Sequence, residues 1–480
     1  MKTIILNIAI LLLLSISFTS CEDFITQDPK YLLTPEAAIT DENSAQNLLN
    51  GAYASVGSND YTARFSGGFS SMLGSYQYNS SAYNLNMQAT GDNDALWKIF
   101  YQTINRANAV LENVSKLSDD SFKTPQRKKE ILAEAKGLRA FAHLYAFWYF
   151  GRWGDEPSSE YGLIFRDQMA ELSNVYQPRL NVKESYDKII ADLDDAIANC
   201  PNYSSGKRVS KQLAKGLKAK LLLNRGWEND FKDALILVNE VIQEATSVGI
   251  VLEPSLSSLY DNSWDSKELI FCRYREQTDD VVSAYNFTYG YNYAITALAA
   301  TTLAKTILES DSRFDEGWGM VRYPALTPNT TNLRPKKLCR KGRFIGGDND
   351  KYTTYFLRLT ELYLMQAELK YRTGESLAAA VDPINIIRLR SELPALSANT
   401  NTAFEKLLFD EYFKELNLEN DADWMAALRL QGADGQRMIY EFRGGTAALD
   451  EDRFIWPIPT SEIKFNKLIK QNPSYESLVY

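Results

Sequence analysis

The sequence predicts a mainly α-helical body of antiparallel helix hairpins, with long loop-rich insertions and little strand. Three observations predict it. Apolar residues recur at helical spacing, as in Ile131, Ala135, Leu138, Ala142, Tyr145 and Tyr149, which lay one stripe along a helix. Glycines sit at the joints between such stretches. Polar, aromatic and glycine-rich segments separate them at Gly57 to Asp94, Glu253 to Tyr293 and Asp311 to Tyr352. The chain has 480 residues, 45% hydrophobic and 24% charged, which excludes disordered, collagen-like and fibrous classes.

At the N-terminus, Met1-Lys2-Thr3 precedes an apolar run from Ile4 to Phe18, too short for a comfortable membrane span, and then Thr19-Ser20-Cys21. The pattern predicts a signal peptide over residues 1–20. A cysteine placed directly after such a core resembles the lipobox of bacterial lipoproteins, which makes Cys21 the expected lipidation site. Phe18 stands where that motif usually has Leu. No later apolar run reaches membrane length, so the body is expected to be tethered and not inserted.

Helices are expected near 97–114, 127–150, 182–199, 210–224, 230–246, 301–309, 355–373, 376–390 and 403–419. Tyr186, Ile190, Leu193 and Ile197 mark the third, and Phe231, Leu235, Val238 and Ile242 the fifth. Ala367, Gly374 and Ala379 have the spacing of a tetratricopeptide helix pair: small residues let the helices approach and Gly permits the left-handed joint. Ala219, Gly226 and Ala234 repeat it with a longer connector. Leu269 to Cys272 reads as a short strand. The insertions are rich in Tyr and Trp, which argues for order.

Composition narrows the chemistry. A net charge of −9 disfavours nucleic acid, and the patch Arg334, Lys336, Lys337, Arg340, Lys341 and Arg343 reads as a solvated loop or a protein-docking surface. A single histidine, His143, lies in an apolar helix and reads as structural, so multi-histidine zinc sites and a histidine-dependent triad are disfavoured. Cys200, Cys272 and Cys339 allow at most one disulfide and no metal spacing. The pairs Asp92/Asp94, Asp279/Asp280, Asp348/Asp350 and Asp421/Asp423 read as caps and turns. Asp348-Asn349-Asp350 lacks the remaining oxygens of a calcium loop, so no metal or cofactor is expected.

Six ordered blocks resemble the SusD/RagB nutrient-binding lipoproteins of Bacteroidetes. They are Asp23-Phe24 to Pro29 with Asn50-Gly51-Ala52-Tyr53; Trp97 to Tyr101 with Ile104 to Asn108; Glu134 to Ala140 continuing to Gly151; Arg358 to Glu368; Ile387 to Pro394; and Trp456 to Pro459 with Gln471 to Tyr475. Glu22 and Asp23 resemble the surface-export signal of such lipoproteins. The chain departs from the family at Asn420 to Ala427, where Gly, Arg and Asp are usual, and at Pro383, which is expected to kink its helix. The resemblance implies a SusD-like α–α superhelix over 21–480, with an N-terminal part of about 21–230 and a C-terminal part of about 260–480. It also implies a glycan ligand and a SusC-like TonB-dependent transporter as partner, with the lipid anchor placing the chain on the outer membrane, facing outward.

Sugar rings present C–H faces to aromatic rings and hydroxyls to amides. Candidate binding residues are therefore Tyr76, Tyr78, Asn79, Tyr83 and Asn84 in one insertion, Tyr289, Tyr291, Asn292 and Tyr293 in a second, and Trp318 in a third. The alternation of Tyr289, Tyr291 and Tyr293 is equally the pattern of a strand packed on the core. Trp97, at the start of an amphipathic helix, reads as core. The expected function is glycan binding without catalysis, and the alternatives are a peptide-binding import lipoprotein of the RagB branch and a tethered glycoside hydrolase.

Overall fold

Residues 38–58, 61, 63–75, 80–274, 301–313, 320–323, 332–335, 353–445 and 449–478 are described by the computed structural model. Along them run α1 (Glu42–Val56), α2 (Ala63–Leu73), α3 (Ser80–Tyr83), α4 (Asp92–Ser115), α5 (Pro125–Phe150), α6 (Val182–Asn199), α7 (Lys211–Arg225), α8 (Asp230–Val248) and α9 (Leu256–Asn262). Then come β1 (Leu269–Cys272), α10 (Thr302–Leu308), β2 (Met320–Tyr323), β3 (Asn332–Pro335) and β4 (Tyr355–Arg358). The chain closes with α11 (Leu359–Arg372), α12 (Leu377–Arg390), α13 (Asn401–Leu416), α14 (Ala422–Arg429), α15 (Met438–Arg443) and α16 (Thr460–Phe465). The fold is mainly α, as expected.

Helix α5 starts where Pro125 follows Thr124, whose hydroxyl caps the Arg127 N–H, and it ends at Gly151. The expected stripe is buried, but so is every residue from Gly137 to Phe150. A helix enclosed on all sides is a central one, and α5 packs against α1, α4 and α6. Its Phe141, Tyr145 and Tyr149 meet Tyr61, Phe65, Phe69, Phe271 and Phe356 with ring centroids 4.2 to 5.9 Å apart.

From this hub the helices stack in chain order, α6 on α7, α7 on α8, α8 on α11 and α11 on α12. Contact between α8 and α11 means that residues 249–358 leave the stack and return to it. Gly226 and Gly374 hold φ of +65° and +87° at two joints, where L side chains are strained. Ala219, Ala234 and Ala367 have no exposed surface, while at the second joint the fully buried small residue is Ala380 and not Ala379.

The structure corrects two expectations. Residues 355–358 are not the start of a helix but strand β4, which pairs antiparallel with β1, Leu269 opposite Arg358 and Cys272 opposite Tyr355. The stretch Gly57 to Asp94 contains helices α2 and α3, not loop alone. Gly68 in α2 obscured the pattern, yet a Cβ there would lie 2.7 Å from the Tyr149 hydroxyl and 3.0 Å from Trp456. Pro383, where a kink is expected, lies inside helix α12, Leu377–Arg390. Cys200 and Cys272 are free and buried.

Buried charge ties these elements together. At the β4–α11 junction, Arg358 donates to Glu268 and Glu419 at 2.7 Å and to the Glu415 carbonyl at 2.7 Å. Arg390 reaches Glu415 at 2.7 Å and Glu268 at 3.2 Å, Arg313 joins Asp311, Glu411 and Glu415, and Arg388 holds Glu411 at 2.7 Å. Burial would raise the Glu415 carboxyl, but Arg390, Arg313 and Arg358 hold it far below the usual carboxylate range. Within the departure at Asn420 to Ala427, Asn420 donates to Glu361 at 2.8 Å and Asp421 takes Lys220 at 2.8 Å, so that segment is buried and tied to α7 and α11.

Replacing Arg358 by Met takes one buried ion-pair partner from Glu268 and the guanidinium from Glu419, which is expected to cost about 3–5 kcal/mol in urea denaturation. A cost below about 1 kcal/mol would show that the cluster does not depend on this residue. Glu368 gives a pH test. Burial opposes its charge, yet Arg429 and Arg372 hold its carboxyl at about 2, against 4.5 unfolded. Its contribution is therefore complete above the unfolded value and is lost as pH falls through the folded one. The stability gap between wild type and Glu368→Gln should narrow by roughly 2 kcal/mol from pH 7 to pH 3. A gap unchanged over that range would contradict the assignment.

Candidate functional site

The three insertions that carry the aromatic candidates are anchored to one another where they join the body. Arg273, immediately after β1 and fully buried, donates its N–H to the Thr354 carbonyl at 2.8 Å and its Nε–H to the Ser58 carbonyl at 2.9 Å. The Thr353 hydroxyl returns a bond to the Arg273 carbonyl at 2.5 Å. Thr301 donates its N–H to the Ser75 carbonyl at 3.0 Å. Arg313 fastens the start of the third insertion through its buried carboxylates. Chain separated by hundreds of positions thus meets at one set of anchors.

Two cavities lie along α4, and Gln102 lines both. The first, about 570 Å³, is walled by Asp94, Trp97, Tyr101, Asn105, Arg166 and Glu462. Trp97 and Tyr101, one helical turn apart, stack with centroids 4.4 Å apart and an interplanar angle of 32°. The Trp97 indole N–H donates to Glu462, whose carboxyl burial pushes up while that bond and Arg166 pull it back. The Tyr101 hydroxyl donates to the Ile164 carbonyl at 2.9 Å, and burial raises its pKa.

The facing wall, residues 164–175, has no regular structure and is fixed by side chains. Asn105 accepts the Ala170 N–H at 2.8 Å, and Glu112 accepts the Met169 N–H. Arg166 donates to the carbonyls of Asn174 and Val175, and its own N–H goes to His143 Nε2 at 3.1 Å. His143 is stacked on Phe165 at 4.0 Å, and burial, then Arg139, hold its pKa well below the usual value. It is a structural histidine, as its sequence context suggests.

The second cavity, about 770 Å³, is walled by Tyr53, Arg106, Ser205, Lys207, Arg208 and Tyr274. Arg208 sits over the Tyr53 ring at 4.3 Å and Lys207 over the Tyr274 ring at 4.2 Å. Those ring faces already carry cations, so they are not open platforms for a sugar ring.

Of the sequence candidates, Tyr83 is half-buried with Arg443 over its ring at 5.3 Å, and Asn84 is exposed. Neither lines the two cavities. Tyr76, Tyr78, Asn79, Tyr289, Tyr291, Asn292, Tyr293, Trp318 and Cys21 lie outside the described residues, as does Asp348-Asn349-Asp350. Trp97 is 5% exposed and edge-on to Phe150, so the core reading holds for most of the ring, although it also lines the first cavity. Tyr101, Arg106 and Glu462 fall in blocks shared with the family but were not read as binding residues, and Arg166, Arg208 and Tyr274 were not singled out from sequence. Only Trp97 with Tyr101 carries a local signal, since the others meet across long stretches of chain. Asp421 and Asp423 are buried and bonded to Lys220 and Asn417. Among the described residues there is no cluster of three or more metal-ligating side chains, and no helix is long and apolar enough to cross a membrane.

Residues 322–475 match the model of the SusD family, and residues 27–223 match a model described as starch-binding associating with outer membrane. SusD-like protein P2 of Formosa agariphila is 24% identical over 83% of this chain and 84% of its own length. A SusD superfamily protein from Parabacteroides distasonis superposes with a TM-score of 0.72 at 20% identity, over 90% of this chain and 99% of that one. Surface glycan-binding protein A from Bacteroides uniformis superposes at 0.68 with 19% identity, covering 90% and 99%. These superpositions show the shared fold. The six ordered blocks, the helical stack and both family models agree: the chain belongs to the SusD/RagB family.

Proposed function

We propose that this chain is a surface lipoprotein, anchored through Cys21 after removal of residues 1–20, that binds oligosaccharide or polysaccharide nutrients. It hands them uncut to a SusC-like TonB-dependent outer-membrane transporter. The observation that carries this reading is the meeting of the three insertion roots, through Arg273, Ser58, Thr354, Ser75 and Thr301, beside cavities lined by aromatic and polar side chains. The polar walls of the cavities suit the hydroxyls of a saccharide, and the platforms proposed for its C–H faces are the insertion aromatics Tyr289, Tyr291, Tyr293 and Trp318. Membership of a family whose model is described as starch-binding, and a shared fold with a surface glycan-binding protein, support the ligand class.

A docking face supports the partner. Phe465 is 70% exposed and Leu468 56%, and Asn466 between them donates to the Gln177 carbonyl at 2.8 Å, next to Tyr176, itself 55% exposed. Contiguous exposed apolar surface of this kind is where a protein partner docks.

Titration calorimetry against panels of oligosaccharides and of peptides tests the reading, with each glycan recovered after overnight incubation. At least one glycan should bind and return intact. Replacing Tyr289, Tyr291, Tyr293 and Trp318 together by Ala should weaken it by roughly tenfold or more, the order of one aromatic contact. The melting temperature should move by less than about 3 °C. Binding of peptides but of no glycan would replace this ligand with the RagB-type one, and cleavage would make the chain a hydrolase. A collapse in melting temperature would put the four aromatics in the core.

A further inference from the structure

The second cavity has a charge that the rest of the molecule does not prepare for. The chain carries a net −9, yet among the described residues the wall of this cavity holds Arg106, Lys207 and Arg208 and not one Asp or Glu. Nearby carboxylates do not cancel it. Asp265 takes Lys207 at 2.8 Å, and Glu134 lies behind Tyr53, whose hydroxyl it accepts at 2.7 Å. Among the described residues, setting those two against the three cations still leaves one positive charge facing the space.

The cations also have donors to spare. Arg106 gives Nη1 to the Gly51 carbonyl at 3.0 Å, and Arg208 gives Nη2 to Asn50 at 2.8 Å. Among the described residues no further protein acceptor is bonded to either guanidinium. Two of the three cations are also held by rings: Tyr53 lies under Arg208, and Tyr274 lies under Lys207. Held guanidinium and ammonium groups with unused N–H bonds, in a cavity of about 770 Å³, form a receptor for a small oxyanion on a larger ligand. Ser58 and Tyr274 on the same wall border residues 59–60 and 275–300, which places the cavity at the roots of two insertions.

We propose that this cavity is a subsite for the anionic substituent, carboxylate or sulfate ester, of an acidic saccharide. The inference rests on the glycan-binding reading and names its ligand class. Both substituents present two or more oxygens to a guanidinium fork, so their chemistry at this wall is shared.

Calorimetry separates them. The probes are tetragalacturonate and its methyl ester, a carrageenan tetrasaccharide and its desulfated form, and neutral cellotetraose. Titrations use the wild type, the double variant Arg106→Gln with Arg208→Gln, and Lys207→Gln alone. One anionic probe should bind at least about tenfold more tightly than its neutralised form, the order of one charge-assisted pair. The double variant should abolish that advantage and Lys207→Gln should reduce it, each by weakening the charged probe more than its neutralised form, with the melting temperature unchanged. The advantage should also shrink as salt rises. The arm that responds, uronate or sulfate, identifies the group. Neutral glycans that bind while neither charged probe gains anything would overturn this inference alone. Equal loss of neutral and charged probes in the variants would overturn it too, and absence of all saccharide binding would overturn both readings.

Discussion

Arg358 has no exposed surface, and its guanidinium faces Glu268, Glu415 and Glu419, which are equally buried. Moving so many charges out of water is costly, and their mutual attraction repays it only when every donor and acceptor is paired. Here the partners come from different places: Glu268 before β1, Arg313 at the start of the third insertion, Arg388 and Arg390 on α12, and Glu411 and Glu415 on α13. A shift of any one element would strand a buried charge. The cluster thus behaves as a geometric lock whose value lies in the single arrangement it allows.

That lock sets where the long excursion from the helical stack comes back. Residues 249–358 leave after α8 and return at β4, and Arg358 is the residue at which they return. On the near side, Glu268 accepts from Arg358 and from the Thr360 hydroxyl at 2.6 Å, so the start of β1 is fixed against the start of α11. On the far side, Arg273 carries the same order outward to Ser58 and Thr354. The dry ionic core and the insertion roots form one continuous chain of contacts, and the α4 cavities open beside it.

Periodicity exposed the helices whose burial is one-sided, such as α6 and α8, because a polar face gives the pattern its contrast. It described α5 less well. When Ala140, Phe141 and Ala142 are all buried, no polar face remains to mark the period. Strand β4 was invisible because the run Tyr355 to Arg358 is followed directly by α11, and only its pairing with β1 makes it a strand. Glycine misled at α2, where Gly68 serves close packing against Tyr149 and Trp456 instead of a turn. The cavities were harder still. Tyr53, Arg106, Arg208 and Tyr274 share no local spacing, and they meet only once the α1–α4 packing and the anchoring of β1 are in place. Family likeness located several of these residues inside shared blocks but assigned them no contact.

Buried charge in this protein takes two forms, and hydrogen-bond accounting tells them apart. Arg358 and Arg313 spend their donors on carboxylates and a carbonyl of the protein itself, so nothing is left for a ligand. Arg106 and Arg208 spend one bond each on Gly51 and Asn50, and a tyrosine face beneath Arg208 restricts it without consuming its N–H groups. Stacking on a ring is a weak, donor-sparing contact, whereas a bidentate carboxylate is a strong, donor-consuming one. Structure built for rigidity favours the second, and a surface awaiting an anion requires the first. The same residue type thus serves as lock in one part of the fold and as open receptor in another, and the difference is set by the neighbours that the helical stack supplies.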